Sequence, residues 1–386
     1  MRQPFTVSSL CTTLLVLAAV SSVYTGKDFG LRHNITVGAC GVLAIFLVFC
    51  AVQFPDGAFV RPNVIVWRVV KGLTLLYMCL LVFLLCQSVE DVRSALSIID
   101  PTTEEILYET NYAEDCRLIT PDHPDGALGN ILERIDVFVL AHFFGWLVKA
   151  LIIRNEKLLW VLSLAFEWAE ISLRHILPNF WECWWDHLLL DVFGCNLLGI
   201  YCGLWLAERL QMREYKDWIF HSRSKPFYYH SRLLSQLLPE NYSQHHWPKF
   251  MRNGTTFVAM VAFVVLATLF DVNLFFLKAQ LHIDTSHWVC LLRTVLMAFG
   301  GAHAVRECYE LLVTPSTRKL GVQAWLVMGV LMAEAMLVVR WRSSLDLSNT
   351  LPPFQKSMWT FLAGAFAVIT TYLYAVEMFS HRSKTK

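Results

Sequence analysis

One stretch of the chain combines acidic, amide and imidazole side chains with long apolar runs. The segment 178–196, PNFWECWWDHLLLDVFGCN, contains the polar residues Asn179, Glu182, Asp186, Asp191 and Asn196. Upstream apolar segments add His142, Glu167 and Glu170. Carboxylates lose free energy where apolar surroundings strip away their water, and ionisable residues inside a membrane span are functional candidates by default. These eight residues form the candidate site.

The ligand types of this group indicate a divalent metal ion beside a general base. Carboxylate and amide oxygens are in excess over the single histidine, His142, and no cysteine is counted among them; this suits Ca²⁺, Mg²⁺ or Mn²⁺ rather than zinc or copper. A histidine beside a carboxylate suits a general base. A cation that neutralises phosphate oxygens next to such a base equips a site for displacement at phosphorus. The residues therefore predict a metal-and-base site at the level of lipid headgroups.

The chain that must position these residues has the composition of an integral membrane protein. Of its 386 residues, 56% are hydrophobic and 16% are charged, against roughly 25% charged in soluble domains. The net charge of +1 predicts no nucleic-acid partner. Ten apolar segments have the length that a bilayer core requires, near 5–24, 35–54, 64–86, 135–153, 158–177, 187–207, 255–277, 286–305, 322–341 and 357–379. We expect an all-α, polytopic membrane protein with about ten transmembrane helices and a single membrane domain, 1–386.

The distribution of Lys and Arg among the connections predicts the orientation of the chain. Connections on the N-terminal side carry more of these residues than those on the opposite side, and the more basic side faces the cytosol. Both termini are therefore predicted to be cytosolic. The largest contribution comes from residues 208–253, a basic and aromatic connection that suits an interfacial segment on an anionic leaflet or a solvated cytosolic loop.

This orientation places the candidate residues at one depth in the membrane. The fourth predicted span enters from the far side, the fifth leaves toward it, and the sixth enters from it again. His142, Glu170, Asp186 and Asp191 therefore share roughly one level near the far-side surface. The helices at about 135–207 are the predicted catalytic helices.

Each residue also has a structural interpretation. Glu170 stands four residues before Arg174 and can form a helical ion pair, a lone histidine often bonds a neighbouring helix, and Asp186 can cap the sixth span. On an ideal α-helix Asp191 and Asn196 lie about 140° apart, so they reach one site only through a kink or across a wide cavity. The coincidence of the whole group at one depth favours a functional site.

Three segments resemble the eukaryotic base-exchange phosphatidylserine synthases. They are AHFFGWLVKALIIR, FEWAEISLRHILPNFWECWWDHLLLDVFGCNLLGIYCG and DGAFVRPNVIVWR, and the similarity extends over about residues 54–345. The motifs TPDHPD, CWWDH, GIYCG and KLGVQAWLV resemble the ethanolamine-exchanging type. One departure is Asn63, where the family usually has His; it leaves the role of that loop open, although Arg61 is present.

The resemblance implies an enzyme that exchanges the ethanolamine of phosphatidylethanolamine for L-serine and forms phosphatidylserine. It implies His142 as the base that takes the proton of the serine hydroxyl, with Asp191 as the second catalytic residue. Ca²⁺, ahead of Mn²⁺ or Mg²⁺, would be held by the set Glu167, Glu170, Asp191 and Asn196. Substrate binding would fall to Arg61, Asn179, Glu182 and Asp186, with their individual roles left open.

The resemblance also implies the endoplasmic reticulum membrane, with the active site toward the lumen. The tail HRSKTK resembles a cytosolic retrieval signal for that organelle. Polytopic enzymes of this kind often form homodimers, and the sequence leaves the oligomeric state open. Cys116 and Cys183 both fall on the far side, where an oxidising lumen would let them pair, but sequence does not give the distance between them.

Other functions stay open at this point. The same exchange could act on phosphatidylcholine, and a membrane-bound acyltransferase or a lipid or ion transporter also places polar residues inside spans. The surplus of carboxylates around His142 argues against acyl transfer, which needs no metal cage. A CDP-alcohol phosphotransferase is rejected, because DGAFVRP at 56–62 has only the first fragment of its Asp-rich pattern.

Overall fold

The all-α fold class is confirmed by the computed structural model. It describes residues 3–25, 30–57, 59, 63–104, 113, 115–121, 126, 128–134, 137–211, 247–313, 319–345 and 352–384, and no strand occurs within them. The α-helices are α1 Gln3–Tyr24, α2 Leu31–Gln53, α3 Val64–Leu84, α4 Val89–Ile99, α5 Gly129–Arg134, α6 Val137–Ile153, α7 Glu156–Leu173, α8 Leu197–Gln211, α9 Gly254–Leu281, α10 Trp288–Val313, α11 Val322–Arg340 and α12 Pro353–Lys384. A π-helix, Asp186–Asn196, runs directly into α8.

The described part of the chain has seven helical segments that are long and apolar enough to cross a membrane. They are Arg32–Gln53, Val64–Leu84, Asp186–Arg209, Gly254–Leu281, Trp288–Val313, Val322–Arg340 and Pro353–Phe379. The chain is thus a multi-pass membrane protein, but the predicted count of ten is not confirmed. The apolar part of α1, Ser8–Tyr24, and that of α6, Val139–Ile153, are shorter than these seven segments. In α7, the carboxylates Glu167 and Glu170 occupy two positions of the apolar run. The count refers to the described residues, and α7 is the helix in which carboxylates of the candidate site interrupt the apolar run.

Close packing of α6 against α8 sets the geometry around the candidate site. Gly199 and Gly203 on α8 have the G-x-x-x-G spacing that lets two membrane helices approach each other. A Cβ at Gly199 would lie 2.5 Å from the carbonyl oxygen of Phe143, and one at Gly203 would lie 2.6 Å from that of Leu147. Only glycine fits at these two positions, and α6 is thereby held against the segment that contains the π-helix.

An apolar core encloses these helices on the side of α7 and α9. Fully or nearly fully buried side chains from four helices form it, including Ala150, Leu159, Ile200 and Met260. The predicted basic connection 208–253 lies outside the described residues except at its two ends. At the second end, Trp247 donates its indole N–H to the carbonyl oxygen of Ile153 at 2.9 Å.

A buried polar network joins the helices of the other half of the bundle. Arg293 on α10 donates from Nη2 and Nε to the two carboxylate oxygens of Glu334 on α11, at 2.7 and 3.0 Å. Tyr77 on α3 and Asn273 on α9 donate to the same carboxylate at 2.7 and 3.2 Å. Glu334 is completely buried. One carboxylate therefore ties four helices together.

Candidate active site

The π-helix aligns three polar residues that an α-helix would separate. Its backbone hydrogen bonds join residues five apart, and Asp186, Asp191 and Asn196 follow one another at that spacing. All three are buried, whereas Phe193 is 56% exposed on the outer side. The divergence of Asp191 and Asn196 expected on an ideal α-helix is thus removed by the type of helix, which does not require a kink or a wide cavity.

Glu167 on α7 is engaged by two residues of the π-helix. Asn196 donates from Nδ2 to Glu167 Oε1 and to Ser163 Oγ, each at 3.0 Å. His187 Nδ1 lies 3.2 Å from Glu167 Oε2. Both oxygens of this buried carboxylate therefore face the π-helix.

His142 and Asp191, the two predicted catalytic residues, are brought together. His142 Nδ1, on α6, lies 3.2 Å from Asp191 Oδ1 on the π-helix. Both side chains are largely shielded, with 18% and 10% of their surface exposed. The two atoms are close enough for an ion pair, although no hydrogen bond joins them in the described structure. A carboxylate this near an imidazole suits a general base.

Glu170 and Glu182 face the same cluster. Their Oε2 atoms lie 3.7 and 3.4 Å from His187 Nδ1. The helical ion pair that could have explained Glu170 is not formed, because the guanidinium of Arg174 lies over the ring of Trp181, 5.0 Å from its centre. Burial, reinforced by nearby carboxylates, raises the pKa of Glu182, in the turn before the π-helix, to about 9.

The residues present fit a divalent cation. Two groups of ligand atoms each lie within 4.8 Å of one another: Glu167 with His187 and Asp191, and Glu170 with Glu182 and His187. Three buried oxygens, Glu170 Oε2, Glu182 Oε2 and Asn196 Oδ1, have no hydrogen-bond partner within the described structure. Buried acceptors and charges of this kind are costly unless they are compensated, and carboxylate and amide oxygens are the ligands that Ca²⁺ takes.

His187 stands in the same polar stretch of the sequence, but the sequence interpretation did not assign it to the site. The count of a single histidine was wrong, because the imidazole of His187 points into the cluster from the first turn of the π-helix. A signal was present in the sequence: His187 stands four residues before Asp191, a spacing that puts two side chains on one helix face.

The remaining predicted residues lie at different distances from this cluster. Asp186 is buried at the start of the π-helix, and its charge adds to that around Glu182. Asn179 is buried in the turn Pro178–Phe180, but no hydrogen bond joins it to the cluster in the part of the chain that is described. Arg61 lies outside the described residues. Asn63 caps α3, where its side chain accepts a hydrogen bond from the backbone N–H of Ile65 at 2.9 Å.

A disulfide holds the turn that carries Glu182. It joins Cys116 to Cys183, so the pairing that the sequence left open is formed. Trp185 donates its indole N–H to the carbonyl oxygen of Cys116 at 3.2 Å. Asn130 donates to the carbonyl oxygen of Arg117 at 3.0 Å. The segment around Cys116 is thereby fixed against the turn that leads into the π-helix.

Replacing Cys183 by serine is expected to lower the free energy of unfolding by about 2–4 kcal/mol. The disulfide closes a separation of 67 residues, so its loss frees a long loop in the unfolded chain. Chemical unfolding of the protein in lipid nanodiscs measures the change. Cys116→Ser and the double variant should lose the same amount, since all three break one bond, while serine at the exposed Cys11 should have no effect. Unequal losses among the first three would contradict this assignment.

Fold and site define an integral membrane protein with a buried histidine–carboxylate centre. Residues 62–342 match the family described as phosphatidyl serine synthase, and the chain belongs to this family. It is 34% identical to phosphatidylserine synthase 2 of Homo sapiens over 336 residues, 85% of this chain and 67% of that protein. It is 34% identical to phosphatidylserine synthase 2 of Mus musculus over 347 residues, 88% of this chain and 71% of that protein.

A second group of relatives has a different name. The chain is 32% identical to CDP-diacylglycerol–serine O-phosphatidyltransferase 1 of Arabidopsis thaliana over 364 residues, 92% of this chain and 85% of that protein. The predicted family is confirmed, and the chain is a phosphatidyltransferase with lipid and serine substrates. The names of the relatives differ in the phosphatidyl donor: the name of the Arabidopsis relative specifies CDP-diacylglycerol, whereas phosphatidylserine synthase 2 specifies no donor.

Proposed function

We propose that the chain is a Ca²⁺-dependent base-exchange enzyme that replaces the ethanolamine of phosphatidylethanolamine with L-serine. The observation that carries this proposal is the charge of the site. Five buried or largely buried carboxylates surround two histidines, from Glu167, Glu170, Glu182, Asp186 and Asp191.

A surplus of negative charge suits substrates that carry ammonium groups. Glu182 holds a proton at neutral pH while its pKa stays near 9, and a nearby ammonium group would favour its ionised form. One divalent cation offsets two of the remaining carboxylate charges, and buried charge left over is costly without a partner. The amino group of serine and that of the departing ethanolamine can each supply a positive charge. Glu182 and Asp186, at the mouth of the cluster, are the carboxylates that we assign to these ammonium groups.

The proton transfers begin at His142. Its imidazole, oriented by Asp191, takes the proton of the serine hydroxyl, and the hydroxyl oxygen forms a bond to the phosphodiester phosphorus. The bond from phosphorus to the ethanolamine oxygen breaks, and the proton passes to that oxygen. Ca²⁺, when held by the set Glu167, Glu170, Asp191 and Asn196, supplies neutralisation of the phosphate oxygens.

CDP-diacylglycerol is the second candidate donor, and the name of the Arabidopsis relative favours it. Its pyrophosphate would bring more negative charge into a cluster that is already acidic. Lys149, seven residues after His142 on α6, is paired with Asp271 at 2.6 Å. Asp56, in the only fragment of the Asp-rich donor pattern, is paired with Arg68 at 2.5 Å. These pairings favour the base-exchange reaction.

The expected products separate the candidate donors. Purified protein in liposomes that contain phosphatidylethanolamine, phosphatidylcholine and CDP-diacylglycerol, supplied with serine and Ca²⁺, should release ethanolamine in equal amount to the phosphatidylserine formed. Chelation of Ca²⁺ should stop the release, because the cation offsets charge on the transferred phosphate. Release of choline would overturn the choice of headgroup, and release of CMP would overturn base exchange. Formation of no phosphatidylserine from any donor would overturn the proposed reaction.

The proposed location is the endoplasmic reticulum membrane, with cytosolic termini and the site toward the lumen. The disulfide beside Glu182 supports a lumenal site, because disulfides persist in oxidising compartments. The excess of Lys and Arg on the side of both termini supports their cytosolic location.

A further inference from the structure

We propose that Lys149 binds the carboxylate of the incoming L-serine and thereby selects serine over ethanolamine as the attacking alcohol. This inference rests on the proposed function, because it concerns the substrate that His142 activates. It assigns a cation to the one group of serine for which the acidic cluster has no partner.

The acidic cluster alone would favour the wrong alcohol. L-serine and ethanolamine both carry a hydroxyl and an ammonium group, but only serine carries a carboxylate. Glu182 and Asp186, which we assign to ammonium groups, suit either molecule and offer nothing to that carboxylate. A carboxylate that leaves water without a partner is costly. Selection of serine over the ethanolamine that the reaction releases therefore requires a positive group near His142.

Lys149 lies on the same face of α6 as His142. Seven residues separate the two, which is close to two full helical turns. Helical side chains lean toward the N-terminus of their helix, so that of Lys149 leans toward His142. The ring of Phe166 on α7 lies near both: its centre is 5.5 Å from Lys149 Nζ and 6.3 Å from the centre of the His142 imidazole. One aromatic ring thus separates the ammonium group from the proposed base.

The ammonium group of Lys149 is held in place and keeps donors to spare. Its Nζ donates to Asp271 Oδ2 on α9 at 2.6 Å and lies 4.3 Å from the centre of the Trp146 ring. An ammonium group has three donors, and Nζ forms no other hydrogen bond within the described residues. The side chains of Lys149 and Asp271 are 25% and 21% exposed. An accessible ionisable pair between apolar helices is a functional candidate.

Gly145 leaves room between His142 and Lys149. It stands three residues after His142 and four before Lys149, so it is a helical neighbour of both. A Cβ at Gly145 would meet no heavy atom within 4 Å. We place serine in this open space along α6, with its hydroxyl toward His142 and its carboxylate toward Lys149.

The charge of the Lys149–Asp271 pair fits this ligand. The pair has no net charge, so its cation suits the single carboxylate of a zwitterion whose ammonium group is held elsewhere. A pyrophosphate would bring several negative charges that this pair does not offset. The assignment therefore agrees with the preference for base exchange over CDP-diacylglycerol.

A comparison of two acceptor alcohols in the same liposomes tests this inference. Labelled serine forms phosphatidylserine, and labelled ethanolamine exchanges with the headgroup of phosphatidylethanolamine by the same displacement at phosphorus. The double variant Lys149→Met, Asp271→Asn removes both charges and leaves neither partner unpaired. Its KM for serine should rise by about 10–100-fold, the effect of losing one hydrogen bond to a charged group. Its KM for ethanolamine, which has no carboxylate, should not rise.

Three single variants separate the charge of Lys149 from its structural pairing. Lys149→Arg keeps a cation and should keep the low KM for serine. Asp271→Asn breaks the pair but keeps Lys149, so it should also keep that KM. Gly145→Leu fills the open space while both charges remain, and it should raise the KM for serine more than that for ethanolamine.

Equal rises of KM for the two alcohols in the double variant would overturn the inference, because they would indicate a structural or phosphate-binding role for Lys149. An unchanged KM for serine would also overturn it. If the double variant does not fold, Gly145→Leu and Lys149→Arg carry the comparison: loss of the serine preference in the first and its retention in the second support the assignment, and the reverse contradicts it. Serine is the acceptor whichever lipid donates the phosphatidyl group. Release of CMP by the wild type would therefore overturn the proposed donor alone.

Discussion

Replacing His142 by alanine is expected to lower serine incorporation into phosphatidylserine by about 10²–10⁴-fold, the range that general-base catalysis contributes. His142 Nδ1 lies 3.2 Å from Asp191 Oδ1, and no other described histidine has this relation to Asp191. Without the imidazole, the serine hydroxyl keeps its proton and is a poor nucleophile at neutral pH. Initial rates of labelled serine incorporation in liposomes measure the loss.

Two further variants show whether the loss of activity in His142→Ala comes from the chemical step or from a disturbed structure. Asp191→Ala should lose at least as much activity, because Asp191 lies beside the imidazole and also belongs to a group of candidate metal ligands. His33→Ala, at an exposed position on α2, should keep normal rates. Binding of Ca²⁺ should persist in the His142 variant, because His142 is not among the residues assigned to the cation. Near-normal turnover in His142→Ala would remove His142 from the mechanism.

Replacing Glu334 by leucine is expected to lower the free energy of unfolding by about 3–5 kcal/mol, the cost of leaving one partner of a buried ion pair alone. Arg293, only 6% exposed, would keep its charge among apolar helices. Tyr77 and Asn273 would also lose the acceptor that they share. Unfolding of the protein in nanodiscs by chemical denaturant measures the loss.

A double variant isolates the cause of this effect. Arg293→Met combined with Glu334→Leu should recover most of the stability, since a buried pair can be replaced by apolar groups at little cost. The half-exposed pair of Arg306 and Glu310 on α10, 2.9 Å apart, provides the control: Glu310→Gln should cost less than about 1 kcal/mol. Equal losses from Glu334→Leu and Glu310→Gln would contradict a structural role for the buried network.

The class of the protein could be predicted from local sequence. Apolar runs of bilayer length identify membrane helices because the bilayer imposes length and hydropathy on each segment separately. The predicted count of ten spans is not confirmed, because α1, α6 and α7 are not among the seven segments of sufficient length and apolarity in the described residues. In α7, Glu167 and Glu170 belong to the candidate site and lower the mean hydropathy of the helix. A count based on the length of apolar runs does not take this into account.

The composition of the site could also be predicted in large part. The predicted residues His142, Glu167, Glu170, Glu182, Asp186, Asp191 and Asn196 lie in or against one cluster. Sequence placed His142, Glu170, Asp186 and Asp191 at one depth because consecutive spans alternate in direction. Asn179 is not bonded to this cluster among the described residues, and Arg61 lies outside them.

The sequence by itself determined the membrane class, the helical fold and the depth of the polar residues, because these depend on composition along each segment. Only the tertiary structure decided the direction of individual side chains. The π-helix brings Asp191 and Asn196 to one face, since the register of backbone hydrogen bonds sets the angle between successive side chains. The pairing of Cys116 with Cys183, and of Arg293 with Glu334, depends on the distance between segments far apart in the chain, which no local pattern encodes.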